Sequence, residues 1–161
     1  MATRSTIALE YADGTVHKVY CHWDGYLDNN GRILFDSYQD PFKVQRLMDL
    51  GDISSLGPEI GDQHSFDIPH KYGTPEYQAE AERRQGITTF YGRDRGEEGT
   101  ECRVYKNYED YRANCQFEEY NYILRQVDGK AVWFVEFYGV FDGRLDEAFI
   151  FEAKEREAEE A

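Results

Sequence analysis

The sequence predicts a single α+β domain, in which an antiparallel sheet of about four to six strands carries two to four packed helices. Two segments rich in apolar side chains each surround an Asp-Gly dipeptide, the usual signal of a β-hairpin. Between them, apolar residues recur at helical spacing after residue 40. The length of 161 residues suits one domain, and an aromatic content of 16% excludes a disordered acidic chain.

The first predicted hairpin begins near the N-terminus. Apolar and polar side chains alternate over residues 6–11, and Asp13-Gly14 follows, where glycine accepts the positive φ of a type I′ turn. The return strand covers residues 16–23. A two-residue loop pairs Ile7 with Tyr20 and leaves apolar residues on both faces, so we expect the hairpin to pack against other elements.

The middle of the chain predicts helices separated by a long loop. A short helix is expected over residues 32–38, and a longer one follows Asp40, whose side chain can cap it, and ends at Gly51. Residues 52–74 contain several glycines and prolines, which are typical of a loop. A further helix is predicted over residues 75–85, although its apolar face is thin.

The C-terminal part predicts short strands, a second hairpin and a final helix. The segments are a strand at residues 86–91, a charged glycine-rich loop at 92–100, a strand at 101–105, helical turns at 107–114 and hairpin strands at 119–126 and 131–138. The turn at Asp128-Gly129 pairs Leu124 with Trp133. Residues 1–144 are therefore predicted to form the domain, and residues 145–161 an acidic helix with a frayed end.

The charge disfavours several classes of function. The chain has 32 acidic and 18 basic side chains, a net charge of −14 and a pI of about 4.6. Direct binding to nucleic acid or to an anionic membrane needs a basic patch, so both are disfavoured, whereas a basic protein partner is favoured. Residues 145–161 hold seven acidic and two basic residues, so the rest of the chain carries −9, too little for a dense phosphate mimic.

The cysteines indicate the compartment. Cys21, Cys102 and Cys115 form no C-x-x-C motif and no metal-like spacing with histidine, which indicates reduced thiols in the cytoplasm. The first residues lack the pattern of a signal peptide, and no apolar run is long enough to span a membrane. We expect no metal and no cofactor.

One candidate site is the segment 20–26, where a predicted strand runs into a loop. His22 and Asp24 point to the same face of an extended strand and could act as acid and base, because histidine titrates near neutrality. Cys21 points to the opposite face, so a nucleophilic pair of Cys21 and His22 is disfavoured. In the alternative interpretation, Trp23 and Tyr20 belong to the core, and His22 and Asp24 only fix the loop by hydrogen bonds.

The second candidate site is the glycine-rich segment 91–99. Arg93 and Arg95 could hold a phosphate or carboxylate by bidentate hydrogen bonds. The segment matches neither a P-loop nor a dinucleotide-binding fingerprint. The alternative is a solvated turn with internal pairs of arginine and carboxylate. Across both segments, the candidate ligand-binding or partner-binding residues are Trp23, Tyr26, Arg93, Asp94, Arg95 and Glu97.

Five stretches of this sequence resemble a family of small proteins of bacteriophage and prophage genomes. The resemblance is carried by residues 2–14, 19–26, 30–31, 50–54 and 90–97, which include the motifs Val-Tyr-Cys-His-Trp-Asp-Gly-Tyr and Tyr-Gly-Arg-Asp-Arg-Gly-Glu. It covers about the first hundred residues. The resemblance implies a phage accessory gene and transfers no activity and no catalytic residue.

Two functions remain open on the sequence. The favoured one is a non-enzymatic acidic protein that binds and modulates or inhibits a host or defence protein, for instance one that handles nucleic acid. The alternative is a small enzyme or ligand-binding domain for a nucleotide or phosphorylated metabolite, which requires segments 20–26 and 91–97 to meet at one cleft. The aromatic content also permits a homo-oligomer, and nothing specific supports a virion component.

Overall fold

One sheet of eight strands organises residues 2–65 and 67–160, the part of the chain that the computed structural model describes. Met1, Phe66 and Ala161, which the sequence assigns to the domain, the long loop and the acidic helix, lie outside this part. The elements in chain order are β1 (Ser5–Glu10), β2 (Val16–Cys21), a π-helical turn (Leu27–Gly31), α1 (Arg32–Ser37), α2 (Pro41–Leu50), β3 (Ile53–Ser55), α3 (Pro75–Arg84), β4 (Thr89–Phe90), α4 (Tyr91–Arg95), β5 (Arg103–Tyr105), α5 (Tyr108–Asn114), β6 (Tyr120–Val127), β7 (Lys130–Phe137), β8 (Phe141–Arg144) and α6 (Leu145–Glu160).

The sheet is mixed rather than antiparallel. Its strand order is β4-β3-β2-β1-β6-β7-β8, and β5 pairs with β2 beside the β2–β3 contact. The pairs β1–β6 and β2–β3 are parallel, and the other pairs are antiparallel. The α+β class is confirmed, but the described residues contain more strands and more helices than the sequence predicts, because the additional elements β3, β8 and α4 are only three to five residues long.

The two hairpins differ in how well the turn motif predicts them. The second has the expected register, with Leu124 opposite Trp133. In the first, Ile7 lies opposite Val19 rather than Tyr20. The Asp13 carboxylate accepts hydrogen bonds from the amide and hydroxyl of Thr15, at 2.9 and 2.7 Å, and this contact accompanies a loop one residue longer than expected. The slip moves every partner across the strand pair by one position.

Alternation along the strands creates two faces, which we call the first and the second face. On the first face, strand residues such as Ile7, Val19 and Tyr122 form the main core with α1, α2 and α6. The helix α2 begins as predicted, because the Asp40 side chain accepts the amide hydrogen of Phe42. The second face is covered only in part, by α5 over Ala8, Val16 and Ile123.

Two local predictions for the central segment are wrong. The predicted loop of residues 52–74 contains β3, which is short and lacks the alternation that marks a strand. The predicted glycine-rich loop begins as the helix α4, which ends at Gly96 in the left-handed conformation. Helix α3 has no buried residue, in agreement with its thin apolar face.

A buried tyrosine ties the core to the loop after β2. The Tyr122 hydroxyl donates a 2.6 Å hydrogen bond to the carbonyl oxygen of Gly25. We expect Tyr122→Phe to lower the free energy of unfolding by about 1–3 kcal/mol, because a buried carbonyl loses its donor. Urea unfolding measures this change. Tyr138→Phe, at an exposed residue, is the matched control, and equal stability of the two variants would contradict the assigned role.

Candidate functional site

Three consecutive side chains at the end of β2 point alternately to the two faces of the sheet. Tyr20 and His22 lie on the second face, where the Tyr20 hydroxyl is 2.6 Å from His22 Nδ1. Cys21 lies on the first face, fully buried, and burial raises the pKa of its thiol to about 11. Cys21 is therefore a protonated core residue at neutral pH, which agrees with the disfavoured Cys–His pair.

The loop after β2 exposes two large aromatic side chains. Trp23 is 44% exposed and Tyr26 is 40% exposed, so the alternative that placed Trp23 in the core is wrong. The backbone beneath them is fixed, because the Trp23 amide donates to the carbonyl of Ser54 and the Gly25 amide to that of Thr3. Asp24 is exposed between them, with a φ of 56°.

Arg93, on helix α4, is bonded within the fold. The Arg93 guanidinium donates hydrogen bonds to both carboxylate oxygens of Asp94 and to the carbonyl oxygens of Ile60, Gly61 and Thr88. Asp94 is buried and also accepts backbone amide hydrogens from His64 and Phe90. Burial alone would raise the pKa of Asp94, but these hydrogen bonds lower it below its usual value.

The two predicted segments do meet at a cleft, which includes the predicted residues Arg95 and Glu97 but not the expected acid and base, His22 and Asp24. Tyr20 from the first and Tyr91, Arg95 and Glu97 from the second line one cleft of about 520 Å³, together with Asp52. We call this the tyrosine cleft; its remaining lining residues are Glu98, Gly99 and Thr100. The predicted residues His22, Trp23, Asp24, Tyr26, Arg93 and Asp94 are not part of its lining.

Tyr20 and Tyr91 are protonated phenols in this cleft. Burial, with a further contribution from the Glu118 charge, raises the pKa of Tyr20 to about 12. Burial also raises the pKa of Tyr91, which makes a hydrogen bond with Ser54. Both side chains can therefore donate hydrogen bonds at neutral pH, but neither is a ready base.

A second, larger groove lies on the second face, at the end of the sheet where β1 and β6 begin. This groove, which we call the acidic groove, has a volume of about 710 Å³. Its lining residues are Arg4, Arg112, Phe117, Glu118, Glu119, Glu136, Tyr138, Gly139 and Asp142. Both oxygens of Glu136 are oriented, by the amide of Asn121 at 2.9 Å and the backbone amide of Gly139 at 3.0 Å.

Acidic groups surround Tyr120 at the same end of the sheet. Burial, followed by the charges of Glu152, Glu119 and Asp28, raises the pKa of Tyr120. The exposed ring of Tyr138 lies 5.6 Å from that of Tyr120. We call this region, together with the acidic groove and the loop of residues 23–28, the acidic end.

The arginines of the acidic end are already paired. Arg4 contacts Glu119, Arg112 contacts Asp142 at 2.6 Å, and Arg156 contacts both Asp28 and Glu152. Within the described chain, the carboxylates of Asp24, Glu118 and Glu136 have no ion pair. The acidic end therefore presents uncompensated negative charge beside exposed aromatic rings.

One further pair of reactive residue types lies outside both sites. Cys102 Sγ is 3.6 Å from His17 Nδ1. Burial, with the charge of Asp49, raises the pKa of Cys102, while burial lowers the pKa of His17, so the neutral forms of both are favoured. The pair therefore does not form a thiolate–imidazolium nucleophile.

Across the part of the chain that is described, no group of three or more His, Cys, Asp or Glu side chains could hold a metal ion.

The residues of the acidic groove are not predictable from spacing. Arg4 and Asp142 lie near opposite ends of the chain and meet only because β1 pairs with β6 and β7 follows. The adjacent acidic residues Glu118 and Glu119 are the only local signal, and such a pair is usually a solvated turn.

The chain matches no family model, and no curated protein or solved structure is significantly similar to it. Among the described residues, no helix combines the length and apolar composition needed to cross a membrane.

A substitution tests whether the hydrogen bonds of Arg93 stabilise the fold. We expect Arg93→Ala to destabilise the fold by about 3–5 kcal/mol, because it leaves the buried Asp94 carboxylate without its cation. Thermal or urea unfolding measures the loss. Arg46→Ala, at an exposed position of α2, is the control and should change stability by about 0.5 kcal/mol or less. Comparable stability of the two variants would show that Arg93 does not support the fold.

Proposed function

We propose that this chain is an accessory protein of bacteriophage or prophage origin that binds a basic protein of the host or of a defence system in the cytoplasm. Binding would modulate or inhibit that partner. The observation that carries the proposal is the acidic end, where unpaired carboxylates lie beside the exposed aromatic rings of Trp23, Tyr26 and Tyr138.

The negative charge of the acidic end supports the proposal of a basic partner. Negative potential around Asp24, Glu118 and Glu136 attracts lysine and arginine side chains and accelerates association at low salt. The same potential repels phosphate, so nucleic acid is disfavoured as a direct ligand. A nucleic-acid-handling enzyme with a basic groove has the surface that would fit.

The aromatic residues supply the second requirement of a protein interface. Tryptophan and tyrosine dominate binding hot spots because they bury a large apolar area at a small cost in conformational entropy. Trp23 and Tyr26 project from a backbone held by Ser54, Thr3 and Tyr122, so little ordering is needed on binding.

The phage assignment rests on the resemblance of the sequence. The segments 19–26 and 90–97, which resemble the phage family, also include Trp23 and one wall of the tyrosine cleft. The proposal therefore places residues of the resemblance at a surface suited to a partner.

Affinity capture with variants tests the proposal. The full chain is immobilised and exposed to a bacterial lysate at low salt, in parallel with Trp23→Ala and with the control Phe42→Ala. Phe42 is 77% exposed on α2, away from the acidic end. We expect basic proteins to be retained by the wild type and the control, and released by salt. Trp23→Ala should weaken the purified partner's affinity about 30-fold or more, as loss of a hot spot does.

Two results would contradict this function. One is the absence of any protein that the wild type retains at low salt. The other is equal retention by Trp23→Ala and Phe42→Ala, which would show that the acidic end does not make the contact.

Binding of a small molecule is the second candidate function. It is favoured by the tyrosine cleft, which residues of both predicted segments line. Its volume of about 520 Å³ falls in the range of small-molecule sites, and the polar side chains of Tyr20, Tyr91 and Arg95 line it. The expected clamp of Arg93 and Arg95 does not form, because Arg93 is bonded within the fold.

A thermal-shift screen with nucleotides tests the second candidate. A ligand that binds the native state raises Tm, and we expect this rise to be smaller in Arg95→Gln than in the exposed control Arg46→Gln. No rise with any nucleotide, or equal rises in both variants, would exclude the cleft as a nucleotide site.

A further inference from the structure

Lys18 is a buried cation without a partner. The residue is only 6% exposed, on the second face of β2. Among the described residues, its ammonium makes no hydrogen bond and no ion pair. Every fully buried side-chain nitrogen or oxygen in that part of the chain has a hydrogen-bond partner, so the ammonium must keep a narrow contact with solvent. A cation held in this way is costly unless a counter-charge reaches it.

A second cation lies directly opposite. Lys18 pairs with Arg103 of β5 in the antiparallel register, which places both side chains on the same face of the sheet. Like charges in this position repel each other. One guanidinium nitrogen of Arg103 contacts Asp52, at 2.8 and 3.0 Å, and the carbonyl of Glu101. The other nitrogens of Arg103 have no hydrogen bond within the described residues.

The charges of Lys18 and Arg103 both act on the thiol of Cys115, so the two cations lie in one small region. Burial raises the pKa of the Cys115 thiol, while the charges of Lys18 and Arg103 lower it in part. Two carboxylates lie nearby. Asp52 is neutralised by Arg103, and Glu118 acts on both Cys115 and Tyr20. The region also borders the tyrosine cleft, because Tyr20 and Asp52 line it.

We propose that Lys18 and Arg103 form a binding site for a phosphate group. A phosphate dianion supplies the counter-charge for two cations, and the fork of free Arg103 donors suits its oxygens. Lys18 contributes a point charge at the end of a buried stem. The tyrosine cleft next to Arg103 can hold the remainder of a phosphorylated small molecule.

This site differs from the one that the sequence indicates. Arg93 and Arg95 lie close together in the chain, whereas Lys18 and Arg103 meet only through the pairing of β2 with β5. The inference does not rest on binding of a basic protein at the acidic end. It deepens the second candidate function, on which the choice of a phosphorylated small molecule rests.

Calorimetric titration of the full chain at low ionic strength tests the site. The probes are inorganic phosphate, adenosine monophosphate and adenosine. We expect the two phosphates to bind and adenosine not to bind. Lys18→Met keeps the length of the buried stem and removes the charge, and it should weaken phosphate binding about tenfold to a hundredfold. Lys130→Met, at an exposed lysine of the second hairpin, is the control for net charge.

The outcomes distinguish failure of the phosphate site at Lys18 and Arg103 from failure of nucleotide binding in the tyrosine cleft. Absence of phosphate binding, or equal affinities of Lys18→Met and Lys130→Met, would overturn the proposal and identify Lys18 as a hydrated lysine with a buried stem. Equal affinities for phosphate and adenosine monophosphate would support the site and contradict a nucleotide in the cleft. If Lys18→Met does not fold, Arg103→Gln gives the same test, with the same loss expected.

Discussion

The pairing of β1 with both β2 and β6 is the constraint on which the rest of the structure depends. β1 lies in the middle of the sheet, with Ser5 opposite Cys21 on one side and opposite Tyr120 on the other. The β6 contact joins residues 115 positions apart and is reinforced by the 2.9 Å hydrogen bond from Thr6 to Asn121. Without it, the N-terminal hairpin and the β6–β8 meander would be separate sheets, each with an exposed apolar face.

The same pairing builds the acidic end. Arg4 precedes β1, Trp23 lies two residues after the end of β2, and Glu118 and Glu119 precede β6, so all four lie at the same end of the sheet. Asn121 links this edge to the sheet, because it bonds both to Thr6 and to the carboxylate of Glu136. The charges of the acidic end are thus brought together by topology, since their carriers come from distant parts of the sequence.

Local features of the fold were predictable, and nonlocal ones were not. The hairpin at Asp128-Gly129 and the cap at Asp40 follow from neighbouring residues. The register slip at Asp13 depends on a side-chain contact with Thr15 that the dipeptide signal ignores. The parallel contact between β1 and β6 leaves no local pattern, because it depends on which distant strand covers the second edge of β1.

The candidate sites show the same division. Segments 20–26 and 91–97, which the sequence indicates as candidate sites, meet at the tyrosine cleft. The sequence could not show that α4 aims Arg93 at backbone carbonyls and at Asp94, since that depends on the helical turn and on the loop near Ile60. Lys18 resembled any strand lysine, and only the placement of Arg103 opposite it reveals an unbalanced charge.

The central claim is that the acidic end is a surface for basic protein segments, and backbone NMR titration with an oligolysine peptide tests it most directly. The claim predicts that shift changes concentrate at residues 23–28, 118–119 and 136–142, include the Trp23 indole, and disappear in high salt. Changes confined to the exposed residues 153–160 of α6, or spread evenly over all acidic residues, would contradict it.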